Sequence, residues 1–212
     1  MKGYLQSLPV VGKIFLDVKP EEVWAFWRFM QDHFRTSVIN KSSALEMQLV
    51  ARGLEALGVQ SKERFLKNFT TTIGRRIYTP FEVGSPKGGW DLWHQVVICV
   101  HEHQHVVQHD REGLSYEVSY LADRAARARW EAEAYRSNLE LQFWRTGTTP
   151  SAQRTASVLK DYGCRDADIE VTAKSLALSA ISVRKGAVIN EATHVALGWL
   201  DEHVPRLRFE QG

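Results

Sequence analysis

The sequence predicts a mainly α-helical fold with one small β element, an α+β architecture. Most of the chain consists of segments in which apolar residues recur at helical spacing between capping residues and glycine stops. Residues 69–81 differ, because β-branched and aromatic residues flank a turn there. The chain has 212 residues and a hydrophobic content of 44%. That is enough to form a core, so we expect a single domain over residues 1–212.

In the first half of the chain, helix-capping residues and glycines predict where each helix begins and ends. Pro20 suits the first turn of a helix, and the acids after it suit the positive helix end. The aromatic residues of this helix should be largely buried. In order, we expect a short strand at 10–16 in an N-terminal arm, a helix that begins at residues 17–22, a second helix from Ser42 or Ser43 to Gly58, a short helix or turn at 61–67, and a hairpin or two short strands at 69–81.

The second half is predicted to be helical throughout. Asp91 can cap a helix from Leu92 to about Asp110, and the apolar first half of this helix predicts that it is central and buried. After a turn at 111–113 we expect one long helix, or two in line, over 115–145. Further helices should follow at 150–162, from Asp166 to about Gly186, and from Asn190 onward.

Charge and hydropathy exclude several classes of partner. The net charge of +2 gives no electrostatic reason to expect nucleic acid or membrane binding. Residues 1–5 lack the apolar run of a signal peptide, and no segment has 18 consecutive apolar residues. We therefore expect a cytoplasmic protein. Of the two cysteines, Cys99 lies in an apolar run and should be a buried core thiol.

The motif H-E-x-x-H occurs at residues 101–105, within the predicted central helix. Residues four apart lie on one helix face, about 6 Å apart along the axis, so His101 and His105 can both bind one ion. Glu102 lies about 100° around the helix, beside the ion. A general base in that position can take a proton from zinc-bound water, so the motif predicts a catalytic Zn²⁺ site.

A catalytic zinc site usually has three protein ligands and one open position. The longer motif H-E-x-x-H-x-x-G-x-x-H would need a histidine where the chain has Arg111. His109 is on the same helix, but three consecutive turns span about 12 Å, too far for bonds of about 2.0 Å. The helix after Gly113 offers Glu131 and Glu133, which point about 200° apart, so only one of them can face the ion.

The chain resembles a known group here. Residues 130–134, Trp-Glu-Ala-Glu-Ala, are similar to the second helix of gluzincin metallopeptidases, above all the aromatic-E-x-x-A-D pattern of HtpX-like and CAAX-prenyl proteases. The flanking residues 77–80 and 105–108 are similar to those of small bacterial and phage proteins classed as metallopeptidases. The resemblance covers about residues 70–136, and it implies that Glu131 is the third zinc ligand.

The resemblance also sets expectations for function. It implies a zinc-dependent metallopeptidase that acts on a peptide or protein substrate, with a zincin-like catalytic core at 69–136 and a helical C-terminal extension at 150–212. At residue 135 the chain has Tyr where the group has Asp, which orients a ligand histidine. Tyr135 could make that hydrogen bond, or another residue could.

Two other functions remain open at this point. Five of the eight histidines lie between His94 and His109, which fits a non-catalytic metal-binding or structural module. His94 and His109 could then assist the site, while His103 should face solvent or make a local hydrogen bond. A purely helical interaction protein, which binds no metal, is the third possibility.

Overall fold

The computed structural model describes residues 17–56 and 62–209, which are mainly α-helical with one small sheet, as predicted. The strand expected at 10–16 and the helix end expected at Gly58 lie outside these residues. The described elements are α1 (Pro20–Phe34), β1 (Ser37–Asn40), α2 (Leu45–Ala56), α3 (Lys62–Asn68), β2 (Thr71–Ile73), β3 (Arg76–Thr79), α4 (Leu92–Glu112), α5 (Leu114–Ala122), α6 (Arg124–Thr146), α7 (Ala152–Ser157), α8 (Asp166–Arg184) and α9 (Glu191–His203), with short 3-10 turns at 41–43, 158–162 and 205–207.

The chain divides into two compact units, Met1–Cys99 and Val100–Gly212. Helix α4 begins in the first unit and ends in the second. The division falls inside the segment 69–136 that the resemblance treats as one catalytic core, and the single domain predicted over residues 1–212 stays a prediction. No helix within 17–56 and 62–209 is both long enough and apolar enough to cross a membrane.

The sheet of the first unit has the strand order β1-β3-β2. Strands β2 and β3 form the predicted hairpin, with Thr72 opposite Ile77. Strand β1 lies parallel to β3, with Val38 opposite Ile77, and it was not predicted. Its four residues carry no turn or alternation pattern, because it pairs with a strand almost forty residues further along the chain.

The core of the first unit is built on α1. Phe26, Trp27 and Met30 are fully buried, whereas Trp24 at the start of the same helix is 54% exposed. The indole nitrogen of Trp27 donates a hydrogen bond to the carbonyl oxygen of Gln95 at 3.1 Å. The expectation of a largely buried aromatic helix is therefore met on one face of α1.

Helix α6 is the centre of the second unit, because α5, α8 and α9 all pack against it. The second half of α4 runs antiparallel to it. His101 contacts Asn138, whereas Gln108, two turns further along α4, contacts Trp130. Asp123 ends the turn between α5 and α6 and caps α6, since its side chain accepts a hydrogen bond from the backbone nitrogen of Ala125 at 2.8 Å.

Helix α8 offers a direct test of this packing. Leu176 is fully buried and Leu178 is 69% exposed. We expect Leu176→Ala to lower the free energy of unfolding by about 2 to 5 kcal/mol, since it removes buried methyl groups and leaves a cavity. Leu178→Ala, the same change at the surface, should alter it by no more than about 0.5 kcal/mol. Urea denaturation measures both, and equal losses would contradict the orientation of α8.

Candidate metal centre

Three predicted ligands come together in the second unit. His101 and His105 lie one turn apart on α4, and Glu131 faces them from α6. The Nε2 atom of His101 is 3.5 Å from Oε2 of Glu131, and the Nε2 atom of His105 is 3.6 Å from Oε1. One ligand atom from each residue lies within 4.8 Å of the others. This buried group could hold a metal ion.

The 3.5 Å between Nε2 of His101 and Oε2 of Glu131 suits two ligands of one four-coordinate ion. Metal–ligand bonds of about 2.0 to 2.2 Å in a tetrahedron separate neighbouring ligand atoms by about 3.3 to 3.6 Å. The Oε2 atom of Glu131 is buried and accepts no hydrogen bond from any residue that the structure describes. A buried carboxylate oxygen without a partner is costly, and a bound cation would satisfy it.

The His105 ring is oriented by Gln108 and Tyr116. Nδ1 of His105 lies 2.8 Å from Oε1 of Gln108, whose own amide nitrogen donates to the carbonyl oxygen of Trp130 at 2.9 Å. That second bond places the acceptor oxygen of Gln108 toward the ring, so Nδ1 carries the proton and Nε2 keeps its lone pair for a metal. The hydroxyl of Tyr116 is 3.0 Å from the same Nδ1.

The His101 ring is oriented by Asn138. Nδ1 of His101 lies 3.3 Å from Oδ1 of Asn138, an arrangement that again leaves Nε2 free. Tyr135 packs the edge of its ring against His101, with ring centroids 4.8 Å apart. The carboxamide of Asn138 therefore makes the contact that the resemblance assigned to an acid at residue 135.

Glu131 is fixed by Tyr120. The hydroxyl of Tyr120 donates to Oε1 of Glu131 at 2.5 Å, which leaves Oε2 as the unpartnered oxygen. Burial raises the pKa of Glu131, but the nearby rings of His105 and His101 outweigh it and hold that pKa below its usual value. Burial likewise lowers the pKa of His101, and Glu131 more than offsets this, so that the pKa is raised.

The hydroxyl groups of Tyr116 and Tyr120 stay protonated beside the centre, because their pKa values are raised. Burial raises the pKa of Tyr120 well above its usual value, and the charge of Glu131 adds to this effect. The same two causes raise the pKa of Tyr116. Burial also raises the pKa of Tyr162, together with nearby Tyr135 and Glu131.

Glu102 is buried next to the ligands, at 5% exposure. Its charge helps to raise the pKa of His101, after the larger effects of burial and Glu131, so the carboxylate lies within electrostatic range of the ring. This is the placement that the motif predicts for a general base, beside the ligand pair on the same helix.

The other candidate residues have different partners. Both carboxylate oxygens of Glu133 contact the Arg111 guanidinium, at 3.1 and 3.0 Å. His109 pairs with Glu117 at 2.5 Å, and His94 stacks on Trp90. None of the three contributes to the ligand cluster found among residues 17–56 and 62–209.

His103 does not face solvent, which corrects the first of the two alternatives expected for it; the local hydrogen bond stays a prediction. His103 is fully buried, and the other residues of 101–105 are at most 5% exposed. Residues 101–105 are buried on all faces of α4, whereas the expectation had assumed that one face is polar and exposed to solvent.

Comparisons with protein-family models, with curated proteins and with solved structures gave no match for this chain.

The choice between the two glutamates can be tested by metal content. We expect Glu131→Gln to lose the bound metal, because it removes the anionic ligand. Glu133→Gln should keep it, since Glu133 is paired with Arg111. Elemental analysis of the purified proteins beside wild type measures both. Full metal content in the Glu131 variant would contradict the ligand set.

The role of Tyr120 can be tested by removing one hydroxyl. We expect Tyr120→Phe to weaken metal binding about 10- to 100-fold, because Glu131 loses the bond that orients it. Tyr78→Phe is the matched control, since that hydroxyl bonds Glu46 in the first unit. Competition with a chromogenic chelator gives both affinities. An unchanged affinity in the Tyr120 variant would show that the bond does not orient the ligand.

Proposed function

We propose that this chain is a zinc-dependent metallopeptidase that hydrolyses peptide bonds of a peptide or protein substrate. The observation that carries the proposal is the convergence of His101, His105 and Glu131, with an unpartnered oxygen on Glu131 and with Glu102 next in sequence to the first ligand. The resemblance of residues 70–136 to gluzincin metallopeptidases supports the same function.

The donor set favours zinc. Two imidazole nitrogens and one carboxylate oxygen form one of the ligand sets that catalytic zinc sites use, and each imidazole has a partner that fixes its tautomer. Sites for Mg²⁺ or Ca²⁺ are built mainly from oxygen ligands. Histidine ligands therefore argue against those two ions.

The proposed mechanism gives each residue a role. His101, His105 and Glu131 would hold the zinc ion, which would supply a Lewis acid for a water molecule and for the carbonyl group of the substrate. Glu102 accepts a proton from the water as its oxygen adds to the carbonyl carbon. The C–N bond then breaks, and Glu102 returns the proton to the leaving amine. Tyr120 holds Glu131 in place by donating a hydrogen bond to its Oε1 atom.

Substrate access in this proposal depends on α5. The ligands are between 1 and 5% exposed, and α5 covers them through Tyr116 and Tyr120. Gly113 precedes α5 with a φ of 63° and a ψ of −149°, a conformation that glycine adopts readily and other residues do not. A peptide would reach the centre only after α5 shifts about such a hinge.

The general base can be tested at one residue. We expect Glu102→Gln to retain zinc, because Glu102 is not a ligand, and to lower kcat at least 100-fold, because proton transfer is lost. Glu112→Gln, on the exposed end of the same helix, is the matched control and should keep full activity. The assay follows cleavage of a quenched fluorescent peptide library. Equal rates in wild type and the Glu102 variant would exclude this mechanism.

A structural metal centre is the second candidate, and the burial of all three ligands favours it. A closed centre would make metal removal lower the thermal midpoint, and no zinc-dependent cleavage would be seen in wild-type protein. A peptidase would instead show cleavage that a chelator abolishes and added zinc restores.

A further inference from the structure

Arg127 connects three segments of the second unit. It lies on α6, and its side chain is half-buried. Its guanidinium donates to the carbonyl oxygens of Tyr120 at 2.8 Å, Leu121 at 2.9 Å and Tyr162 at 2.7 Å. Among the residues that the structure describes, its hydrogen-bond partners are these three carbonyl oxygens and no carboxylate. The side chain is therefore placed to fix backbone positions rather than to neutralise an acid.

Two of these carbonyl groups lie at the C-terminal end of α5. The last carbonyl groups of a helix have no partner within the helix, and the positive charge of an arginine suits that end. The backbone nitrogen of Asp123 donates to Ser119 at 3.0 Å, so the carbonyl groups left over at the end of α5 begin at Tyr120. The planar guanidinium of Arg127 can serve Tyr120 and Leu121 at once, because its donors point in several directions within one plane.

Tyr120 is held from α6 at both of its ends. Arg127 and Glu131 are four residues apart, so they lie on one face of α6, about 6 Å apart along its axis. Arg127 bonds the carbonyl group of Tyr120, and its Cζ atom lies 5.5 Å from the centre of the Tyr120 ring. The hydroxyl group at the other end donates to Oε1 of Glu131 at 2.5 Å. The tyrosine therefore spans one turn of α6, between the guanidinium and the metal ligand.

We infer that Arg127 is a positioning residue of the metal centre, because it fixes the backbone from which the Tyr120 hydroxyl reaches Glu131. A hydrogen bond weakens steeply when its donor shifts or tilts. A loosened end of α5 would therefore release the carboxylate oxygen that Tyr120 holds. Arg127 acts through Tyr120 and does not belong to the ligand cluster. The inference rests on the metal centre of the proposed function, and it concerns retention of the ion rather than peptide cleavage.

A double-mutant cycle of zinc affinity tests whether Arg127 acts through Tyr120. Arg127→Met keeps much of the length of the side chain and removes its donors, and we expect it to weaken zinc binding about tenfold. In the Tyr120→Phe background the same change should weaken binding at most about a further twofold, because the hydroxyl that Arg127 positions is gone. Arg129→Met, at an exposed arginine of α6, is the matched control and should bind zinc as wild type does. Losses that multiply in the double variant would overturn the inference, since Arg127 would then act independently of Tyr120.

Amide hydrogen exchange of the metal-free protein separates this inference from the proposed function. We expect Arg127→Met to speed the exchange of residues 118–122 at least about tenfold, because α5 opens more often once its end is released. Arg129→Met should leave these rates unchanged. Wild-type exchange rates in Arg127→Met would refute the positioning role, whatever the protein cleaves. A protein that binds zinc and shows the coupling, but cleaves no peptide, would refute the peptidase activity alone.

A second variant serves if Arg127→Met does not fold. We expect it to fold, because the hydrogen bond to Leu121 is exposed and water can replace it. Arg127→Lys otherwise takes its place in both measurements. Lysine keeps the charge but lacks the planar set of donors that serves three acceptors, so zinc binding should again weaken and exchange should again become faster. Wild-type behaviour of Arg127→Lys in both measurements would refute the role of the three hydrogen bonds.

Discussion

The contact on which the rest of the second unit depends is the one between the Glu131 carboxylate and the two imidazoles of α4. A carboxylate that is 1% exposed would be strongly destabilising without partners. Here Tyr120 bonds one oxygen and the rings of His101 and His105 lie close to both. The remaining oxygen accepts no hydrogen bond from the described residues. At Glu131 the unpartnered oxygen lies beside the Nε2 atom of His101, so this buried group could hold a cation.

That contact explains why so polar a segment can be buried. The five residues 101–105 are all polar and all at most 5% exposed, so each needs a partner supplied by another element. Asn138 meets His101, and Gln104 both donates to Glu133 and accepts from the backbone nitrogen of Ala192 at the start of α9. These directional contacts fix the register of α4 against α6. Apolar packing would tolerate a rotation of the helix, whereas these hydrogen bonds would not.

Local sequence signals predicted most of the described elements and the two histidines of the cluster, but not the residues that surround them. Caps and glycine stops placed α4 and α8 to within about two residues, because these signals are local. Strand β1 was missed, since its partner is distant in the chain. Helical spacing alone did not distinguish Glu131 from Glu133 as the third ligand. Only the resemblance favoured Glu131. The partners Gln108 and Asn138 depend on how the helices pack. Of these, Gln108 alone could have been found, as it lies three residues after His105 on the same helix.

Helix α5 links metal binding to access. A nine-residue helix is not stable alone, so α5 depends on its contacts with the rest of the second unit. Two of those contacts are Tyr116 with His105 and Tyr120 with Glu131, so they end on the ligands themselves. Its other face exposes Leu114, Val118 and Leu121, which do not hold it in place. A metal that orders His105 and Glu131 therefore also stabilises the docked position of α5, and by thermodynamic reciprocity a docked α5 strengthens metal binding. In the proposed function α5 would have to move for a peptide to enter, and the same helix would help to retain a bound ion.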